Sequence, residues 1–148
     1  MLLYIKAMPF DIELYYDDQS KEIKHQEIDD YLTWLCECYS STLISRKQIA
    51  CKLLQIKQLP PIVIKDDLSL ILFACKDKAS DDWYYFNYES IIDIKAFNDK
   101  SKVVFVNGES VIFDCSARSM KKQRDRCWSL KNILRVMQSE EHLHKLIH

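Results

Sequence analysis

The spacing of apolar residues predicts helices in the first third of the chain and again near its end. From Tyr31 to Tyr39, apolar residues recur at intervals of three and four, which is typical of an amphipathic helix. A second helical segment lies within residues 41–57, and we expect it to finish as a strand. Pro60 and Pro61 end that element, because proline lacks an N–H donor and restricts the preceding residue. From residue 116 the helical period returns, and its apolar positions are Met120, Cys127, Trp128, Leu130, Ile133, Leu134 and Met137.

Short apolar runs between and before these helical segments predict strands. Residues 12–16 and 22–25 flank a polar turn and indicate a strand pair. Asn107-Gly108 predicts a hairpin with a type I′ turn, in which both residues have positive φ. Further strands are predicted over residues 62–64, 68–74, 83–86, 91–97, 102–106 and 109–113. The pattern indicates one α+β domain over residues 1–148, with a mostly antiparallel sheet, a helix in the N-terminal half and a basic C-terminal helix.

Glycine content excludes several classes of enzyme. The 148 residues include one glycine, Gly108. A phosphate-binding P-loop, a dinucleotide-binding GxGxxG turn and a GxSxG nucleophile elbow each need more than one. His25 and the carboxylate pairs in turn-like segments form no set of nucleophile, base and orienting group. We therefore expect a protein that is not an enzyme and binds no cofactor.

The cysteines and histidines predict no metal site. The six cysteines include no CxxC pair, and Cys36-x-Cys38 lacks a Cys/His pair at zinc-finger spacing. His142, His144 and His148 lie near the C-terminus, where we expect solvated side chains. The apolar run at the start is too short for a signal peptide, and no apolar stretch reaches the length of a membrane span. We expect a cytoplasmic protein whose cysteines are free thiols, buried or half-buried.

The net charge of −1 conceals two basic segments. Residues 45–57 contain basic but no acidic side chains, and residues 116–138 oppose seven basic residues with Asp125 alone. Like charges repel on neighbouring helical turns, so a face this basic favours a polyanionic partner. The alternative is a solvated face neutralised by the acidic first third of the chain. Trp83 and other aromatic residues could stack on bases, but the helical spacing of Trp128 favours a position in the core.

Several motifs, in their order and spacing, resemble the ComK family of competence transcription factors. The resemblance covers residues 40–135. Its motifs are Ser40-Ser41, Arg46-Lys47, Pro60-Pro61-Ile62, Leu70-Ile71-Leu72-Phe73, Trp83, Val104-Phe105-Val106-Asn107-Gly108 and Gln123-x-x-Arg126-x-x-x-Leu130-Lys131. Ser45 departs from the pattern, because the family often has glycine there.

The resemblance implies a sequence-specific DNA-binding activator of genes for DNA uptake and transformation. Family members bind paired A/T-rich boxes in double-stranded DNA as oligomers, through the minor groove. The narrow minor groove of A-tracts has an enhanced negative potential that attracts arginine and lysine. The candidate DNA contacts that match family positions are Arg46, Lys47, Arg126 and Lys131. The candidates that come from the charge pattern alone are Lys52, Lys57, Arg118, Lys121, Lys122 and Arg124.

The resemblance also implies partners and a location. RNA polymerase and an adaptor of a Clp protease are the implied protein partners, and the protein would associate with the nucleoid when bound to DNA. The family's longer C-terminal tail serves activation and adaptor recognition, and the chain runs only a short way past Leu134, so we expect both to be weaker. The alternative function is a protein-interaction adaptor whose basic helix binds an acidic partner. The salt dependence of binding distinguishes these two functions, because the logarithm of DNA affinity falls with the logarithm of salt concentration with a slope of about −0.9 per phosphate contacted.

Overall fold

The computed structural model describes the backbone of residues 1–147 and the side chains of residues 1–141. These residues form an α+β domain in which all paired strands are antiparallel, as the sequence predicts. In chain order the elements are β1 (Leu2–Ala7), β2 (Ile12–Tyr16), β3 (Lys21–Lys24), α1 (Ile28–Cys38), α2 (Leu43–Leu54), β4 (Ile62–Val63), β5 (Ile71–Lys76), β6 (Trp83–Asn87), a 3-10 turn (Tyr88–Ser90), β7 (Ile91–Phe97), β8 (Lys100–Phe105), β9 (Ser110–Phe113) and α3 (Ala117–Ile147).

The strands form a large sheet and a small one. The large sheet has the order β3-β2-β1-β6-β5-β4, and the small sheet has the order β7-β8-β9. Strand β1 lies inside the large sheet, paired with β2 and β6. This strand was not predicted from the sequence. Its residues Leu3, Tyr4 and Ile5 are all buried, and such a run shows none of the alternation that identifies a half-buried strand.

The central strands of the large sheet are buried on both faces, whereas the edge strand β3 is exposed. One face packs against α1, with Leu14 and Leu72 beside Leu32 of the helix. The other face packs against α3 and the small sheet, where Phe86 and Phe113 meet edge to face at 4.9 Å between ring centroids. Burial of aromatic and aliphatic side chains on both faces is the main stabilising term for this arrangement. It also fixes the N-terminal half of α3 across the sheet, with its outer side left in solvent.

Two helical predictions need correction. Helix α2 does not finish as a strand: it ends at Leu54, and Gln55 takes a left-handed conformation with a φ of 55°, so Ile56 leaves in a different direction. Trp128 is not in the core, because its side chain is 61% exposed. The buried face of α3 follows Met120, Cys127 and Leu130, and one residue of rotation places Trp128 about 100° from Cys127.

Smaller differences concern the strands and one cysteine. Strand β5 begins at Ile71 rather than residue 68, because Leu68 has a φ of 65° and donates its N–H to the Lys65 carbonyl in a turn. The predicted β8–β9 hairpin is present, but only Gly108 of its Asn-Gly pair has positive φ, so the turn is not type I′. Cys38 is exposed, whereas the other five cysteines are buried or half-buried, and all six are free thiols.

Candidate nucleic-acid interface

Helix α3 carries six of the ten candidate residues and starts where the sequence changes to helical period. Ser116 caps it: the Ser116 Oγ accepts a hydrogen bond from the Ser119 N–H at 3.1 Å. The helix then continues to Ile147 without glycine or proline. The candidates that it carries are Arg118, Lys121, Lys122, Arg124, Arg126 and Lys131.

An open groove of about 770 Å³ runs along the first half of α3, beside the end of α2. Its apolar floor includes Leu54, Ile56 and Ala117. We call it the basic groove, because its charged lining consists of Arg118, Lys121, Lys122 and Arg126 against the single carboxylate of Asp125. Four positive side chains around one negative one give this surface a local field that attracts anions.

Three of these cations are free to meet a ligand. Arg118, Lys121 and Lys122 are exposed, and within residues 1–141 none of their side chains takes part in a hydrogen bond or an ion pair. Exposed lysine and arginine side chains on a rigid helix can reach phosphate oxygens without first breaking an internal contact. The charge of the basic groove is therefore available to a partner.

Arg126 is held in place by uncharged acceptors. Its Nη1 donates to the Gln123 Oε1 at 3.0 Å and to the Gln58 carbonyl at 3.4 Å. Gln123 is only 5% exposed, and its Nε2 donates to the carbonyls of Ala74 and Leu59 at 3.0 and 3.2 Å. A buried amide thus ties the helix to β5 and fixes the guanidinium. Because this network contains no carboxylate, it does not neutralise the charge of Arg126 at the groove wall.

Arg46 is committed to a contact inside the protein. Its Nη2 donates to the Asp66 Oδ1 at 2.5 Å, its side chain is 18% exposed, and its Nε is buried without a hydrogen-bond partner. Gln138 of α3 donates from its Nε2 to the Asp66 carbonyl at 2.9 Å. Arg46 therefore links α2, through the loop that carries Asp66, to the far half of α3.

Lys131 is also engaged. Its Nζ forms an ion pair with Glu89 of the 3-10 turn and lies 5.8 Å from the centre of the Tyr88 ring. Burial raises the pKa of the Tyr88 hydroxyl, and the nearby charges of Arg124 and Arg135 lower it in part. These interactions place Lys131 beside Tyr88, with the charges of Arg124 and Arg135 close enough to act on its hydroxyl.

The remaining three candidates on or after α2 are Lys47, Lys52 and Lys57. Helix α2 packs against α3, and Leu54 at its end and Ile56 beyond it line the basic groove. Lys52 and Lys57 are exposed and Lys47 is half-buried, and none of the three is part of the groove lining. The structure thus places none of these three lysines in the groove, although Lys52 and Lys57 are exposed to solvent.

Neither a role for Arg135 nor the exposure of Trp128 was predicted from the sequence. Both belong to a set that we call the Trp128 stripe, whose members are Lys121, Arg124, Trp128, Lys131 and Arg135. Their spacing alternates between three and four, which places them on one side of a helix. Four cations at that spacing around one tryptophan are visible in the sequence. They could have identified the stripe before the fold was known.

The buried thiols offer no nucleophile near the basic groove. Burial raises the pKa of Cys75 and of Cys115 to about 12, and it raises the pKa of Cys127 as well. A thiol with a raised pKa stays protonated and unreactive near neutral pH. Among the described side chains no cluster of three metal-ligating residues occurs. His142, His144 and His148 lie outside the side chains that the structure describes.

The fold and the basic groove define a class of protein: an α+β domain whose long C-terminal helix presents unneutralised positive charge. The chain belongs to the ComK family, since the family model described as ComK protein matches residues 15–139. ComK proteins are competence transcription factors. The match confirms the family suggested by the sequence motifs and extends it toward the N-terminus. No curated protein and no solved structure matches the chain significantly. Within residues 1–147 no helix has the length and apolar character of a membrane span.

Proposed function

We propose that this protein is a DNA-binding transcriptional activator of competence genes, which serve DNA uptake and transformation. It acts without catalysis and binds A/T-rich boxes in double-stranded DNA through the minor groove. The observation that carries the proposal is the basic groove, in which four cations face one carboxylate within a family of transcription factors. Duplex DNA presents regularly spaced phosphates, and neutralising them with lysine and arginine releases counterions.

The groove cations are the primary phosphate contacts in this proposal. Arg118, Lys121 and Lys122 are unpaired, and Arg126 is oriented by Gln123. Lys52, Lys57 and Arg124 extend the contact, and Lys47 remains a candidate for it. Arg46 and Lys131 do not contact phosphate in this proposal. Each is paired with a carboxylate of the protein and contributes to the packing of the helices. The narrow minor groove of A/T-rich DNA has an enhanced negative potential, so this cationic surface should bind an A/T-rich duplex more tightly than a G/C-rich one.

The proposal includes the partners that such an activator needs. Paired boxes call for a homo-oligomer on DNA, and activation calls for RNA polymerase. An adaptor of a Clp protease is the proposed route of turnover. The protein would act in the cytoplasm and associate with the nucleoid when bound to DNA.

Fluorescence anisotropy at several salt concentrations tests DNA binding. The test compares a duplex carrying two A/T boxes with a G/C-substituted duplex. We expect preference for the A/T duplex, and the double variant Lys121→Ala/Lys122→Ala should reduce the log–log salt slope by about 1.8 in magnitude, because two phosphate contacts are lost. The matched control is Lys21→Ala/Lys24→Ala, which removes the same charge from the edge strand β3.

Two results would contradict the proposal. One is equal, weak binding of both duplexes, which would make the groove a generic basic surface. The other is a slope that both double variants reduce alike, which would mean that net charge rather than the groove determines binding. An acidic protein partner captured by the basic groove, without A/T preference, would instead support the adaptor alternative.

A further inference from the structure

Trp128 is an exposed aromatic residue of α3 that lies outside the basic groove. Its side chain is 61% exposed on α3, and it is not part of the groove lining. A single exposed apolar residue is ordinary on a protein surface. A tryptophan grouped with arginine is different, because these two residue types dominate the energetics of interfaces. The residues around Trp128 therefore indicate whether it belongs to a binding surface.

The Trp128 stripe surrounds this ring with positive charge. Arg124 and Lys131 lie four residues before and three residues after Trp128, and Lys121 and Arg135 lie one turn beyond them. At about 1.5 Å per residue the stripe is about 21 Å long. Among its four cations, only Lys131 has an ion pair within residues 1–141. The remaining positive charge is complementary to a polyanion on both sides of the exposed ring.

We propose that Trp128 contacts the bases of the bound DNA, entering the minor groove as an aromatic wedge while Lys121, Arg124 and Arg135 hold phosphates beside it. This inference rests on the proposed DNA binding. The minor groove is about 6 Å wide, too narrow for a helix of about 10 Å but wide enough for one ring. Minor-groove proteins insert apolar side chains between base steps and partly unstack them. TA steps are among those that unstack easily, so the wedge also favours A/T-rich sequence that contains them.

The chain contains a matched control for Trp128. Trp34 on α1 is 54% exposed, and its helical neighbours at the same two spacings are Asp30 and Glu37. Like Trp128, Trp34 is an exposed tryptophan on a helix, but its neighbours on the same side of the helix are acidic instead of basic. A DNA wedge needs cationic neighbours, so removal of Trp34 should not affect DNA binding.

Binding measurements separate a base contact from a phosphate contact. We expect Trp128→Ala to weaken binding of the A/T duplex by about 5- to 140-fold, the range for loss of an aromatic contact with a base. The salt slope should stay unchanged, because no charge is removed, whereas Arg124→Ala should reduce it by about 0.9. Trp34→Ala should leave both affinity and slope unchanged. Both tryptophans are exposed, so thermal melting should show intact folding for both variants.

Tryptophan emission gives an independent readout. Saturating A/T duplex should quench the emission of the wild-type protein, because an indole in contact with bases loses fluorescence. In Trp128→Phe the remaining emission comes from Trp34 and Trp83, and it should not respond to DNA. The proposal is overturned if Trp128→Ala binds the A/T duplex as tightly as wild type, or if the quenching persists in Trp128→Phe.

The possible failures are distinguishable. Unchanged affinity of Trp128→Ala, with A/T preference retained, would refute the wedge and leave the proposed function in place. The stripe would then face a protein partner. Failure of the wild-type protein to bind any duplex at low salt would refute the proposed function and the wedge together.

Discussion

At the scale of single residues, a match to a family motif does not reveal what a charged side chain does. Arg46 and Arg126 both match basic family positions, yet Arg46 is paired with Asp66 and Arg126 is held by neutral acceptors. The sequence predicted the basic character of both segments. It could not predict this division, because the Arg46 partner lies 20 residues away and the Arg126 partner at Gln58 lies 68 residues away.

The internal role of Arg46 predicts a loss of stability without a loss of phosphate contacts. Arg46→Ala should lower the free energy of unfolding by about 1–3 kcal/mol, since the change removes a charge-assisted hydrogen bond and the packing of a largely buried stem. Urea denaturation measures this loss. The salt slope of DNA binding should stay constant. The neighbouring Lys47→Ala is the control and should change stability by less than about 0.5 kcal/mol. A reduced slope at unchanged stability would reassign Arg46 to the DNA surface.

At the scale of elements, local signals predicted where most helices and strands lie but not how their ends turn. The hairpin between β8 and β9 follows from Asn107-Gly108, but Asn107 is used for a distant contact. Its Nδ2 donates to the Asp17 carbonyl at 3.0 Å, joining this hairpin to the turn between β2 and β3. Such a contact across 90 residues is outside any local pattern, and it accompanies a turn in which Gly108 alone has positive φ.

That turn predicts different effects for two substitutions of Gly108. A Cβ at this position would meet no atom within 4 Å, so the cost of a side chain is backbone strain at a φ of 87°. Gly108→Ala should lower the free energy of unfolding by about 1–2 kcal/mol. Gly108→Asn should cost less, since asparagine tolerates the left-handed region. Chemical denaturation of the two variants gives the comparison, and equal losses would show that strain is not the cause.

At the scale of the whole molecule, the fold depends on pairings that the sequence pattern does not encode. Strand β1 joins the two halves of the large sheet by pairing with β2 nearby and with β6 about eighty residues later. The apolar composition of Leu2–Ala7 is visible, but its partners follow only from the complete sheet. The same holds for the candidate site. Its positive charge could be predicted from the sequence. The groove between α2 and α3 and the exposure of Trp128 could not, because both depend on how α3 packs across the sheet.

The doubly covered sheet buries titratable groups, and this predicts a loss of stability at alkaline pH. Burial raises the pKa of Cys75 and Cys115 from 9.0 to about 12, and that of Tyr31 and Tyr85 from 10.0 to about 12. The folded state holds these protons more tightly than the unfolded chain. Their stabilising contribution is therefore complete below pH 9 and is lost as pH rises toward 12.

Each thiol that is protonated in the folded state and ionised in the unfolded state should contribute about 1.4 kcal/mol per pH unit to this loss. Urea denaturation between pH 8 and pH 11 measures the slope under reducing conditions. Cys75→Ala should make the slope shallower by about one group, whatever it does to the stability at pH 8. Cys38→Ala is the control and should leave the slope unchanged, because that thiol is exposed. A slope that neither variant alters would mean that the buried thiols do not govern the alkaline transition.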